Sequence, residues 1–365
     1  MKKFLSLLIG LAMALSTVSC GGNGTAESVS SEEPSSTVSS EPASSEPASS
    51  SAESSEAELS VAYPVTVTDQ AGREVIIEEE PQRLVSGYYI STSVLIALGL
   101  EEKLVGVEAK ADKRAIYKLS APGLMELPSV GTAKEFDLEG CAVLEPDLVI
   151  LPLKLKSAAE TLEGLGIKVL LVNPEDQELL SGMIELLGTA ANAADRAQEL
   201  LDFTAEQQAM LADKLAGAET PTVYLAGNSS LLSTAGDAMY QSDMIRLAGG
   251  VNAASEIPDT YWAELSYEQL LTCNPDYIVL ASDADYTVED VLSDANLADC
   301  AAVANGQVCQ LPGKAEAWDS PVPSGILGAV WLAGVLHPEA VTEEEVADVI
   351  DDYYETFYDF TYSKN

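Results

Sequence analysis

Side chains able to do chemistry are unevenly supplied along this chain. The one histidine, His337, stands beside Pro338 after an apolar stretch, where a helix end or a core position is expected. No Gly-x-Ser-x-Gly elbow and no His-Glu-x-x-His pair occurs, so neither an activated serine nor a zinc-bound water is written in the sequence. Asp237, Asp259 and Asp319 have the chemistry for acid–base work, but among 59 acidic residues spacing singles out no pair. Cys141, Cys273, Cys300 and Cys309 form no Cys-x-x-Cys and meet no histidine cluster, so no structural metal is expected. Cys300 and Cys309 are able to pair in an oxidising exterior, although separation alone does not set disulfide geometry. Binding without a chemical step, and without an intrinsic cofactor, is the expectation.

One unit recurs. Glu139-Gly140-Cys141-Ala142-Val143-Leu144-Glu145-Pro146-Asp147 runs into Leu148 to Leu151. Glu268-Gln269-Leu270-Leu271-Thr272-Cys273-Asn274-Pro275-Asp276 runs into Tyr277 to Leu280, 129 residues later, with Glu seven before Pro in both copies. Each reads as a short helix, a Pro-Asp turn and a buried strand. Two such units predict two similar α/β lobes with a ligand between them.

The remaining elements must position that gap. Tyr63 to Thr68 and Glu74 to Ile77 alternate around Asp69-Gln70-Ala71-Gly72-Arg73, a hairpin. Leu84 to Ser86 and Leu104 to Val107 read as strands, with Ile90 to Leu98 helical between them and Gly99 as its C-cap. Lys110, Lys113, Arg114 and Lys118 form a rare basic cluster. Alternating helices and strands argue for parallel sheets covered on both faces. Residues 175–214 read as almost wholly helical with a break near Gly188, and the second part is expected to be a strut joining the lobes. Thr222 to Ala226 opens the second lobe, Ser266 is a candidate N-cap, and Leu327 to Leu336 precedes a last helix with Thr342 and Glu345 in capping-box spacing. The domain reading is a first lobe over 61–189, a connecting helix over 190–217 and a second lobe with the final helices over 218–365.

Upstream, Lys2 and Lys3 precede the apolar run Phe4 to Leu15, too short to span a bilayer. With Ser19-Cys20 this resembles a bacterial lipoprotein signal, with Thr17 where Leu is usual, and implies cleavage after residue 19 and lipid on the Cys20 sulfur. Residues 20–60 contain repeated Ser-Ser-Glu-Pro-Ala text, and Gly21 to Ser60 hold no basic or aromatic residue, so a disordered tether is expected. The formal charge of -41 excludes a phosphate-backbone ligand, since nucleic acid needs a basic surface.

Taken together, Val67 to Arg73, Pro81 to Ser86, Leu98-Gly99 to Gly106-Val107, Glu145 to Ile150, Ala248-Gly249-Gly250-Val251-Asn252, Leu265 to Val279 and Gly328 to Glu339 resemble the substrate-binding lipoproteins and periplasmic proteins of ATP-driven importers for iron-siderophores, haem and cobalamin. The resemblance implies an α/β fold of two similar three-layer lobes, joined by a long rigid interdomain helix, with a ligand cleft between them. It implies an extracytoplasmic monomer, anchored through Cys20, that delivers a large metal chelate to a membrane permease. Glu139 and Glu268 match the positions that dock on permease arginines. Tyr88, Tyr89, Lys134, Met239, Trp262, Trp318 and Asp319 fall on the loops that face ligand in the family. Where many siderophore binders carry an arginine this chain has Gly325, and Ala133 stands where some cobalamin binders have Trp. A ferric siderophore is the first expectation, a corrinoid the second and haem the third, because His337 is poorly placed as an axial ligand.

Overall fold

The structure is a computed structural model that describes residues 61–257 and 262–365. The signal, Cys20, the tether, Asp259 and Tyr261 lie outside the described residues. The chain begins with the expected hairpin, β1 (Val65–Thr68) and β2 (Glu74–Ile77), paired antiparallel. Its turn is locked by Asp69, whose buried carboxylate accepts from the amides of Ala71, Arg73 and Leu171 at 3.0 Å and from the Arg73 guanidinium at 2.6 and 2.9 Å.

The first lobe follows as β3 (Leu84–Ser86), α1 (Tyr89–Ala97), β4 (Leu104–Gly106), α2 (Ala115–Ser120), α3 (Leu138–Val143), β5 (Leu148–Pro152), α4 (Lys156–Gly164) and β6 (Lys168–Val172). Its sheet is parallel throughout in the order β4-β3-β5-β6. Then α5 (Gln177–Ala190) and α6 (Ala194–Lys214) lead to the second lobe. That lobe contains β7 (Thr222–Ala226), β8 (Ser233–Ala235), α7 (Tyr240–Leu247), β9 (Val251–Asn252), β10 (Trp262–Glu264), α8 (Tyr267–Cys273), β11 (Tyr277–Leu280), α9 (Val288–Leu292), α10 (Ala301–Ala304), β12 (Val308–Gln310), α11 (Ile326–Leu336) and α12 (Glu343–Tyr358). Its sheet runs β10-β8-β7-β11-β12, with β9 beside the start of β7. The second sheet is therefore not all parallel: β8 turns back against β7, and β10 pairs antiparallel with β8. Only a short connection separates β7 from β8, too short for the crossover that a parallel neighbour needs.

Strand periodicity explains the layers. Leu84, Leu148, Ile150, Leu170 and Val172 face one cluster, while Val85, Val149, Leu151, Val169 and Leu171 face another behind the sheet. In the second lobe Val223, Leu225 and Val279 join the same first cluster, and Tyr224, Ala226, Ile278 and Leu280 face a third. The two sheets are separate, yet their inner faces share one continuous core made by α1, α5, α6, α7, α11 and α12. Because α6 packs on α5 of the first lobe and on α7 and α11 of the second, lobe movement must disturb close-packed side chains. The helical break falls at Ala191–Ala193 rather than Gly188. Gly188 stays helical, and its missing side chain lets α5 and α6 cross closely, since a Cβ there would sit 2.4 Å from the Ala197 Cβ.

The repeated unit does the same work twice. Asp147 accepts from the Gln82 and Arg83 amides at 2.9 Å, and Asp276 accepts from the Thr222 amide and hydroxyl at 2.8 Å. Each aspartate thus ties its turn to the start of the neighbouring strand. The residue before each proline is left-handed, Glu145 at φ 47 and Asn274 at φ 42.

Candidate functional site

A cavity of about 310 Å³ opens between the lobes at the carboxyl ends of β3, β4, β7, β11 and β12. Ligands of open α/β sheets bind in this position because the strand-to-helix loops there can vary without disturbing the sheet. The first lobe contributes Tyr89 and the segment Lys113 to Tyr117; the second contributes Asn228, Asp283, Glu316 and Ser320, among others.

Arg114 dominates the first wall. Its guanidinium lies 4.2 Å over the Tyr89 ring, a cation–π contact that fixes the fork. Its buried Nε makes no hydrogen bond, and the nearest carboxylate, Glu108, is 4.0 Å away. Glu108 is itself buried and accepts from the Thr92 hydroxyl at 2.7 Å and the Tyr117 phenol at 2.8 Å. Burial pushes its carboxyl up, against those hydrogen bonds and the nearby Arg114. An arginine facing a cavity with an Nε that makes no hydrogen bond can take an anionic oxygen ligand, gaining a bond there that the free protein does not supply.

The second wall holds one buried carboxylate, Glu316, with a second, Asp319, behind it. Glu316 accepts from the Ser93 hydroxyl of α1 at 2.5 Å and from Ser324 at 2.6 Å, so one carboxylate joins the lobes. Asp319 accepts from the Ser282 hydroxyl, and its carbonyl accepts from Gln241 at 2.7 Å. Desolvation raises both acids above the ordinary range.

Of the residues expected to face ligand, Tyr89 lines this cavity. Tyr88 precedes α1 and packs edge-on against Tyr89, with ring centroids 5.4 Å apart. Trp318 sits instead in the core: its indole is fully buried and donates to the Tyr354 hydroxyl at 2.9 Å. Asp319 is buried beside it rather than on the cavity surface. Met239 is half-buried before α7, Lys134 is exposed on the loop before α3, and Trp262 is exposed on β10 beside Gly227. Those three do not line the cavity. Arg114, by contrast, reads in the sequence as one of a cluster of four basic residues; Tyr117, three residues on, and the buried Glu108, six residues before, carry no pattern that marks them. Gly325 is closed to any side chain, because a Cβ would lie 2.1 Å from the Tyr240 hydroxyl. His337 ends α11 with Nε2 3.4 Å from the Gly249 carbonyl. All four described cysteines are free thiols, Cys141 and Cys300 fully buried.

Glu139 and Glu268 are both exposed and both second in their helices, α3 and α8. Neither is needed for the cap. Asp137 accepts the Gly140 amide at 2.9 Å, and Ser266 accepts that of Gln269 at 3.3 Å in a capping box.

Two α/β lobes on separate sheets, a shared helical core and a polar gap at the strand ends define a two-lobe solute-binding protein. The chain belongs to the periplasmic binding protein family, whose pattern matches residues 84–315. It is thereby a solute-binding component of an ATP-driven (ABC) importer. Among its relatives is the molybdate-binding protein MolA of Haemophilus influenzae, 26% identical over 323 residues, spanning 81% of this chain and 91% of that protein. The vitamin B12-binding protein of Salmonella choleraesuis is 26% identical over 198 residues, 53% of this chain and 70% of that one. A solved periplasmic solute-binding protein from Veillonella parvula superimposes with TM-score 0.71 at 26% identity, covering 81% of this chain and 93% of that chain.

Proposed function

We propose that this protein captures a compact anionic metal complex with oxygen donors, a small ferric siderophore first, and presents it to the permease of its importer. The observation that carries the reading is Arg114, held over Tyr89 at the cavity wall with an Nε that makes no hydrogen bond. Lys113 adds a second cation at the rim. A cavity of about 310 Å³ lies at the small end of ligand sites, which argues against a corrinoid or haem, both large macrocycles. A bare oxyanion is a second reading, favoured by the relative named for molybdate that aligns over 91% of its length. Delivery would use Glu139 and Glu268, one exposed carboxylate on each lobe, to orient the body on permease arginines; exposed pairs guide encounter more than they add affinity. A lipid on Cys20 would keep the body near the membrane.

Isothermal titration of the purified protein with ferric catecholates, ferric hydroxamates, molybdate, cobalamin and haemin tests the reading. Saturable binding of a ferric catecholate or molybdate is expected, and weak or no binding of cobalamin and haemin. Tight cobalamin binding with no response to any anionic compound would overturn it.

A further inference from the structure

Glu316 is an unusual wall residue. It lines the ligand cavity, yet its carboxylate is buried and, among the described residues, has no cation within ion-pair distance. Among the described residues, the hydrogen bonds to its two oxygens come from hydroxyls: Ser93 Oγ at 2.5 Å from the first lobe and Ser324 Oγ at 2.6 Å from the second. Hydroxyls differ from amides and ammonium groups in being two-way, since each can turn from donor to acceptor. Ser93 Oγ also lies 3.0 Å from the Tyr358 hydroxyl, in a pair whose direction is free to reverse. A proton arriving on Glu316 can therefore be absorbed without breaking the network. Glu316 would donate to one serine, and Ser93 would pass its own proton toward Tyr358.

We propose that Glu316 is a charge-selecting residue of the cleft, admitting an anionic solute together with one proton, which its carboxylate takes from solvent. This rests on the anion reading above. A negative charge bonded to Arg114 sits in the same 310 Å³ cavity as Glu316, where two like charges in a poorly screened space disfavour each other. Neutralising Glu316 removes that repulsion and leaves its two serine bonds in place.

The groups around it sharpen the assignment. Arg114 and Tyr89 face it across the cavity, and Tyr353, Tyr354 and Tyr358 approach from α12. Burial raises all three α12 phenols, so they stay neutral across the working range. Two other buried acids are less suited. Glu108 and Asp319 are both off the cavity surface, Glu108 behind Arg114 at 4.0 Å and Asp319 held by Ser282.

The test is the proton count of binding, read by titration calorimetry with molybdate and with a ferric catecholate in two buffers of different ionisation enthalpy. The wild-type chain should take up as much as one proton more per ligand than Glu316→Gln. Its affinity should rise by up to about tenfold per pH unit of acidification, a slope the variant loses. Ser93→Ala, which removes a bond to the charged carboxylate, should move the pH profile upward and gives a second readout should Glu316→Gln fold poorly. Equal proton counts in wild type and Glu316→Gln, or a pH-independent wild-type affinity, would overturn the proposal while leaving the anion reading intact. Failure of the wild type to bind either probe would sink both.

Discussion

Replacing Arg114 with alanine should cost the protein its solute but not its fold. In the free protein the guanidinium has one carboxylate at 4.0 Å, Glu108, and an aromatic face at 4.2 Å. A unit pair at that distance is worth about 4 kcal/mol at an effective dielectric near 20. The arginine side chain is 38% exposed, so screening reduces this to about 1 kcal/mol of stability. The ligand side is larger. Each hydrogen bond from the guanidinium to an anion is worth about 1.5–3 kcal/mol, and truncating one partner of a buried charged pair costs about 2–5 kcal/mol. A loss near 3 kcal/mol corresponds to roughly a hundredfold weaker binding. Arg114→Lys keeps the charge without the planar fork and should fall between, at roughly tenfold. Titration calorimetry gives the affinities, and thermal unfolding shows that the variants remain folded. Wild-type affinity in a folded Arg114→Ala protein would show that Arg114 does not hold the solute, leaving Lys113 as the cation of this wall.

Three further perturbations probe separate parts of the account. Glu139→Ala and Glu268→Ala should leave stability within about 0.5 kcal/mol and solute affinity unchanged, while lowering stimulation of the permease ATPase; unchanged stimulation in the double variant would remove the docking role. Glu145→Asn should stabilise by about 0.5–1 kcal/mol in chemical denaturation, since Asn adopts the left-handed φ of 47 more readily and already occupies the matching place at Asn274. Stability should also peak in mildly acidic solution. The raised acids Glu108, Glu316 and Asp319 bind their protons more tightly folded than unfolded, so their contribution is lost as pH rises through their folded values. Glu345, held at about 2 by Lys214 and its Thr342 cap, contributes above the ordinary carboxylate range and loses this as pH falls toward about 2. Urea midpoints measured across pH should show that maximum, and Glu316→Gln should flatten its alkaline side.

Much of the framework is legible in the residues because local rules act there. The hairpin follows from alternation around Asp69 to Gly72, the capping boxes at Ser266 and Thr342 from three-residue spacing, and the paired lobes from the recurring Pro-Asp turn. The Pro-Asp repeat is legible for a further reason: each aspartate must reach the strand beside it, so both copies keep the same register. The site is harder, since it is made where distant segments meet. Arg114 becomes a cavity residue only because the chain after β4 folds over α1 and stacks it on Tyr89. Trp318 looks like a cleft aromatic until α12, which comes after it in the chain, supplies Tyr354 to receive its indole proton. Nor does a strongly acidic chain reveal which carboxylates are buried; Glu108, Glu316 and Asp319 differ from their exposed neighbours only in the hydroxyls that tertiary packing brings to them.

The most direct measurement is a crystal structure of the protein grown with the anionic compound that binds most tightly in the titration panel. That compound should lie between the two sheets, its oxygens bonded to the Arg114 guanidinium beside Tyr89, with Glu316 on the facing wall. Density for it anywhere else, with the interlobe cavity filled only by solvent, would contradict the account.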